Sequence, residues 1–372
     1  MRTGASPGRL YLLGALGLLL FALFKLVPPG SPPDKDAMLR AAEIMASAER
    51  AVRECREARG MAPDPASDIN RTGLIGIETS PVTTTLGNLE AKRTTTNPNF
   101  AGLLARLLLD AGVKRGDVVA VGASSSFPAL IVAVLAASRA LDAEPLLVCS
   151  LGASQWGAND PRFDGLDILD CLEHGPGPKG RMVALTVGGD EDRGAELTGE
   201  GRRILEDRIR SAGLPILDEP DLERNVGRRV RLYVEAASGR RIGAFVNVGG
   251  SWANIGTDAS VLHVAPGLTR VAEIPPPGSR GVLQEMASRG VPVIHLLNIK
   301  GLAAAQGLPW DPSPLPRPGE GDLYARPERL VGALAVFCGL YLCLAVLILV
   351  PAIRNSGDHA SRIPKTVDMR RP

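Results

Sequence analysis

A chain of 372 residues has room for one large domain or two small ones. Its 42 Lys and Arg against 40 Asp and Glu leave a formal net charge of +2, which excludes a general electrostatic affinity for nucleic acid. Hydrophobic residues make up 45% of the chain, an ordinary share for a folded protein.

The chain opens with an apolar run at 10–24, LYLLGALGLLLFALF, which Leu26 and Val27 extend past Lys25. That is short for a spanning helix, but Lys25 is able to snorkel to the interface. A cleaved signal peptide would also carry a basic start such as Arg2 and Arg9. The following KLVPPGSPPDK has no small-x-small cleavage site, so an uncleaved anchor over 10–27 is expected. A second run at 330–353, LVGALAVFCGLYLCLAVLILVPAI, carries no charge and is long enough to cross a bilayer with some tilt. Arg2 and Arg9 precede the first span; Arg354, Arg362, Lys365, Arg370 and Arg371 follow the second. By the positive-inside rule both ends, 1–9 and 354–372, are cytoplasmic, and the middle of the chain lies outside a bacterial cytoplasmic membrane. Arg326 and Arg329 weaken that bias.

Between the spans, 28–68 reads as a Pro/Gly linker and an amphipathic helix. Met38, Ala41, Met45, Ala48 and Val52 recur at spacings of three and four. The stripe fits packing on the chain's own domain or pairing with a second copy. An α/β domain is expected over 69–316, with a further linker at 317–329. Apolar runs at 74–78, 117–123, 145–151, 182–188, 243–249 and 291–297 read as strands. They lack in–out alternation, which argues for burial on both faces. Helical stretches at 99–111, 129–141, 200–212, 221–236 and 279–289 lie between them. Alternating strand and helix implies right-handed crossovers and a doubly wound, mostly parallel sheet between two transmembrane helices. Cys55, Cys149 and Cys171 fall in the outer region, so at most one intrachain pair forms there.

Ligands of such sheets sit outside the carboxyl ends of the strands. Four loops qualify: GASSSFP at 122–128, SLGASQWGANDP at 150–161, NVGGSWANIG at 247–256 and HLLNIKG at 295–301. Ser124, Ser125 and Ser126 follow a strand and open a helix. One of them is expected as the N-cap, and the helix start would hold an anion. A nucleophilic serine needs a base, and His295, at a strand end, is the histidine best placed to face it. GASSS lacks the second glycine of a G-x-S-x-G elbow, so the hydrolase signature is missing. Asn247, Gly249, Gly250, Ser251 and Asn254 in the third loop, with Asn298 and Lys300 in the fourth, are candidate ligand contacts. Two threonine triplets, 83–85 and 94–96, bracket Lys92 and Arg93; they fit either carboxylate contacts or turn residues. VGGDEDRG at 187–194 fits a solvated turn better than a cation site. The ten arginines between 202 and 241 share the segment with seven acids and read as a solvated, salt-bridged face. No metal-ligand spacing, Walker loop or G-x-G-x-x-G after a strand occurs, so no cofactor is expected.

The strings DINRTGLIGIETSPVTTTLGNLEAKRTTTNPNFAGLL, GDVVAVGASSSFPALIVAVLAA, SLGASQWGANDPRFDGLDI, FVNVGGSWANIG and GVPVIHLLNIKGLAAAQGLPWDP together resemble the family of poly-γ-glutamate system proteins. The resemblance runs from about residue 68 to 312, and the flanking spans agree with it. It implies a membrane-anchored accessory protein that binds or guides an anionic polymer during synthesis or export. Its implied partners are poly-γ-glutamate or its glutamyl units, the ATP-dependent poly-γ-glutamate ligase with its small membrane subunit, and membrane lipid. An extracytoplasmic serine-type hydrolase or transferase that trims or attaches the polymer is the alternative. No catalytic residue follows from the resemblance.

Overall fold

A computed structural model describes residues 7–26, 32–175, 177–325 and 327–358. Arg2, Arg326, His359, Arg362, Lys365, Arg370, Arg371 and most of the 28–33 linker lie outside the described residues. In chain order the elements are α1 (Pro7–Lys25), α2 (Lys35–Ala58), α3 (Leu89–Thr95), α4 (Asn99–Asp110), β1 (Val118–Ser124), α5 (Pro128–Ala140) and β2 (Glu144–Ser150). A two-residue hairpin, β3 (Asn159–Asp160) and β4 (Phe163–Asp164), leads into α6 (Gly165–Glu173). Then come β5 (Arg181–Thr186), α7 (Gly199–Ser211), α8 (Leu222–Ala237), β6 (Ile242–Val248) and α9 (Trp252–Ile255). The chain continues through β7 (Gly267–Thr269), α10 (Val282–Ser288), β8 (Val293–Leu296), α11 (Ile299–Ala305) and α12 (Pro327–Asp358).

Two units result, one of Met1–Pro32 with Ala325–Pro372, the other Pro33–Tyr324. In the first, α1 and α12 lie side by side: the Phe24 and Phe337 rings meet edge to face at 6.0 Å. Gly17 faces the Tyr341 ring, and a Cβ there would stand 3.4 Å from it, an ordinary contact distance. Both helices are long and apolar enough to cross a membrane. Leu18, Phe21, Val336, Leu342 and Leu347 are exposed along them, the apolar exterior expected of helices whose surroundings are lipid.

The second unit is α/β, built on a six-stranded sheet in the order β5-β2-β1-β6-β8-β7. All pairs are parallel except β7 with β8. Alternate residues of one strand feed two cores. Val119, Val121 and Ala123 of β1 pack with α2, α4 and α5, whereas Val118 and Ala120 pack with α8 and α10. That two-sided burial explains why the strands show continuous apolar runs. The Met38–Val52 stripe of α2 is fully buried in the first of these cores, so it packs on its own unit. The unit also reaches past 316: Tyr324 donates its hydroxyl to Asn99 Oδ1 at 2.8 Å, and Gly319 N donates to the same oxygen at 3.0 Å. A disulfide joins Cys55 of α2 to Cys171 of α6, and Cys149 is a free buried thiol.

Two expectations change. Residues 74–78 are not a strand; this stretch is coil that pairs with a loop. Gly76 N donates to Trp156 O, Trp156 N to Ile77 O, and Ile77 N to the Asn159 side chain. Its apolar run reflects burial without ladder pairing: Leu74 joins the core shared with α2, α4 and α5, and Ile75 is buried as well. The antiparallel edge β7 was not expected, because three residues are too few to show a period.

Candidate functional site

Strand order locates the crevice. From β1 the chain moves outward through β2 to β5, then returns beside β1 as β6 and moves the other way to β8. The carboxyl ends of β1 and β6 therefore flank the topological switch point, where ligands of open α/β sheets bind. A cleft of about 440 Å³ opens there. Ser124, Ser126 and Phe127 border it from the loop after β1, Ser150, Gly152 and Ser154 from the loop after β2, and Gly250, Ser251 and Trp252 from the loop after β6. Thr84, Thr85, Asn88 and Lys92 close it from the segment leading into α3.

Each loop is shaped by close approaches that demand particular residues. Gly249 has a φ of +83°, and a Cβ on it would lie 3.2 Å from Ser124 Cβ. Gly122 leaves room for the Asn254 amide, which would be 2.6 Å from a Cβ at that position. The 124–127 turn is closed by Phe127 N donating to Ser124 O at 3.0 Å and Ser126 N to Ser124 Oγ at 3.3 Å. Consequently no serine caps α5. Its N-cap is Phe127, without a side-chain cap, and Pro128 follows at the first helical position, where no N–H needs a partner.

The expected site residues separate into three groups. Ser124, Ser126, Gly250 and Ser251 border the cleft. Ser125, Asn247, Asn254 and His295 are buried and, with Gly249, lie outside its lining. Ser125 Oγ is turned toward Cys149 Sγ, 3.8 Å away. Asn298 caps α11 by accepting from Gly301 N at 3.1 Å, and Lys300 Nζ stands 5.7 Å from the Trp310 ring. Neither belongs to the cleft.

His295 is not brought to the serines. It pairs in register with Asn247, and β6 intervenes between its strand and β1. Asn247 Nδ2 lies 2.9 Å from His295 Nδ1 and also donates to Gly249 O at 2.8 Å. With that amide donating to it, Nδ1 is an acceptor and the ring is neutral. Burial pushes the imidazole down to about 4 from 6.5. The unfolded chain therefore binds a proton below about 6.5 that the folded chain refuses, and stability is lost as pH falls from 6.5 toward 4. A His295→Asn variant, whose amide oxygen replaces Nδ1 as acceptor, is expected to flatten this acid limb in thermal melts between these pH values. An unchanged slope would contradict the assignment.

Lys92 was not singled out as a site residue, though its threonine-flanked segment was. It is 3% exposed. Its Nζ donates to Ser154 Oγ at 2.8 Å and to Ser126 O, and lies 3.7 Å from the centroid of the Phe127 ring. Desolvation brings the amine down to about 7. Among the described residues no carboxylate forms an ion pair with it. Lys92 and Asp190 are the charged residues bordering the cleft.

The two threonine triplets differ. Thr84 and Thr85 border the cleft, whereas Thr94, Thr95 and Thr96 return their hydroxyls to α3 carbonyls at 2.7 Å. The 187–194 turn is only partly solvated. Asp192 is buried, accepts from Thr186 Oγ1 at 2.8 Å and pairs with Arg229, which is buried too. The arginine-rich segment thus contributes a core ion pair as well as a wet face. Among the described residues no cluster of His, Cys, Asp and Glu is arranged to hold a metal.

Comparison with protein-family models, curated proteins and solved structures finds no match.

Proposed function

We propose that the chain is a membrane-anchored accessory protein of poly-γ-glutamate synthesis or export, and that the switch-point cleft holds carboxylate-bearing glutamyl units of the polymer. The observation that carries the reading is the cleft itself. Ser124, Ser126, Ser251, Thr84 and Thr85 line the cleft together with Lys92, whose amine has no carboxylate partner among the described residues. Ser251 borders the cleft, and its hydroxyl is buried without a hydrogen-bond partner in the ligand-free protein. A carboxylate at Lys92 restores the charge that burial suppresses. The resemblance of the loop strings names the polymer, and it names the ligase and its small membrane subunit as partners.

The two apolar helices support anchoring, and the Cys55–Cys171 disulfide supports an extracytoplasmic placement, because such bonds persist in oxidising compartments. Two measurements test the reading. Full-length protein in detergent is expected to bind poly-γ-glutamate, and Gly250→Trp, which fills the cleft mouth, is expected to lose at least about tenfold in affinity, or ~1.4 kcal/mol. Equal binding by both proteins removes the cleft from the account. In intact cells a Leu86→Cys variant, at a position 86% exposed, is expected to react with a membrane-impermeant thiol reagent. Reaction only after lysis places the unit in the cytoplasm and ends the export reading.

A further inference from the structure

We propose that Ser154 and Lys92 are a nucleophile and its general base, and that they cleave or transfer amide bonds of the chain held in the cleft. The substrate class rests on the function proposed above; the pair rests on geometry. Ser154 Oγ and Lys92 Nζ are 2.8 Å apart, inside the reach a base needs to take the hydroxyl proton. The two residues come from separate elements, α3 and the loop after β2, and meet at the cleft wall. Both are held: Lys92 by Ser126 O and the Phe127 ring, Ser154 by its own N–H donating to Ser126 Oγ at 3.0 Å. Lysine is a useful base only when neutral. Among the described residues no carboxylate keeps the amine charged, burial brings it down to about 7, and the form that acts as base is the neutral one with no substrate carboxylate seated on Nζ.

The chemistry balances without a metal or redox partner. Neutral Lys92 takes the Ser154 proton as Oγ attacks the amide carbonyl carbon. The ammonium then protonates the departing nitrogen, the C–N bond breaks, and an acyl-serine ester remains. Water, or the amine of an acceptor, attacks that ester. Lys92 takes the attacker's proton and returns it to Ser154 Oγ as the ester bond breaks. His295 and Ser125 play no part.

Full-length protein in detergent, treated with a fluorophosphonate probe, tests the pair. Ser154 is expected to become phosphonylated with loss of fluoride, at a rate that rises as pH passes through about 7. Ser154→Ala removes the label. Lys92→Met and Lys92→Arg slow it by at least about 100-fold, the usual range for loss of a general base. Label on Ser124, Ser125 or Ser126 instead, or no label on folded wild-type protein, overturns the pair. Wild-type protein that binds poly-γ-glutamate but takes no label refutes the catalysis and leaves the binding function standing. Wild-type protein labelled at Ser154 that does not bind the polymer supports the pair and removes its substrate.

Discussion

Replacing Arg229 by Met is expected to cost about 3–5 kcal/mol of folding stability, the largest single effect anticipated in this protein. Arg229 and Asp192 are both buried, and their ion pair is tied into a network. Thr186 donates to Asp192, Arg229 Nε donates to Asn225 Oδ1 at 2.9 Å, and Arg229 Nη1 donates to Asn254 Oδ1 at 3.3 Å. Removing the guanidinium strands a carboxylate with no water to solvate it. The same change releases Asn254, which covers Gly122 beneath the switch point. The double variant Arg229→Met with Asp192→Asn removes both charges, and is expected to be more stable than Arg229→Met alone. Chemical denaturation of the full chain in detergent reads both numbers. Strict additivity of the two substitutions would mean that the pair is not coupled.

The second large effect concerns Lys92 and works in the opposite direction on binding and on stability. Lys92→Met keeps an unbranched side chain one atom shorter and deletes the charge. Below about pH 7 the wild-type amine is protonated and attracts carboxylate; well above it the amine is neutral. Polymer affinity of the wild type is therefore expected to fall as pH rises through about 7, while Lys92→Met binds weakly and without that dependence. Ion pairing of this kind, to a desolvated cation, is expected to change affinity by about tenfold to a hundredfold. Stability follows the proton count. The unfolded chain holds the Lys92 proton up to its ordinary value of 10.5, the folded chain only to about 7, so wild-type stability rises with pH across that window. The Met variant is expected to lack this rise and to match or exceed wild-type stability near pH 6. A Met variant that binds like wild type at that pH would show that the lysine is only a packing residue.

Much of the fold was legible because burial on both faces leaves an unmistakable apolar run. Five of the six runs expected as strands are strands of the main sheet, and the crossovers between them follow from alternation with helices. The switch point was also within reach, since it depends only on loops after parallel strands. Strand order was not. His295 sits at a strand end as expected, yet β6 separates its strand from β1, and Asn247 occupies its Nδ1. Lys92 shows the converse. It meets Ser126 and Ser154 across sequence separations of 34 and 62 residues, from a helix that precedes the first strand of the sheet. Nothing in its local pattern reports desolvation. The available hint was the segment TTTLGNLEAKRTTT, where a lysine sits among threonines that ultimately line or brace the cleft. The serine cap is absent for a local reason: Phe127 and Pro128 begin α5 with a backbone-closed turn, and the hydroxyls of Ser124 and Ser126 accept from Ser126 N and Ser154 N instead.

The most direct measurement is photo-crosslinking of poly-γ-glutamate carrying a short photoreactive group, followed by peptide mapping on the full-length protein. If the cleft holds the polymer, crosslinks fall on the loops bearing Thr84 to Lys92, Ser124 to Phe127 and Gly250 to Gly256, and excess unlabelled polymer suppresses them. Crosslinks concentrated on the exposed arginines of α7 and α8, such as Arg210 and Arg224, with none at the cleft, would mean that the polymer follows surface charge alone. That result would contradict the account.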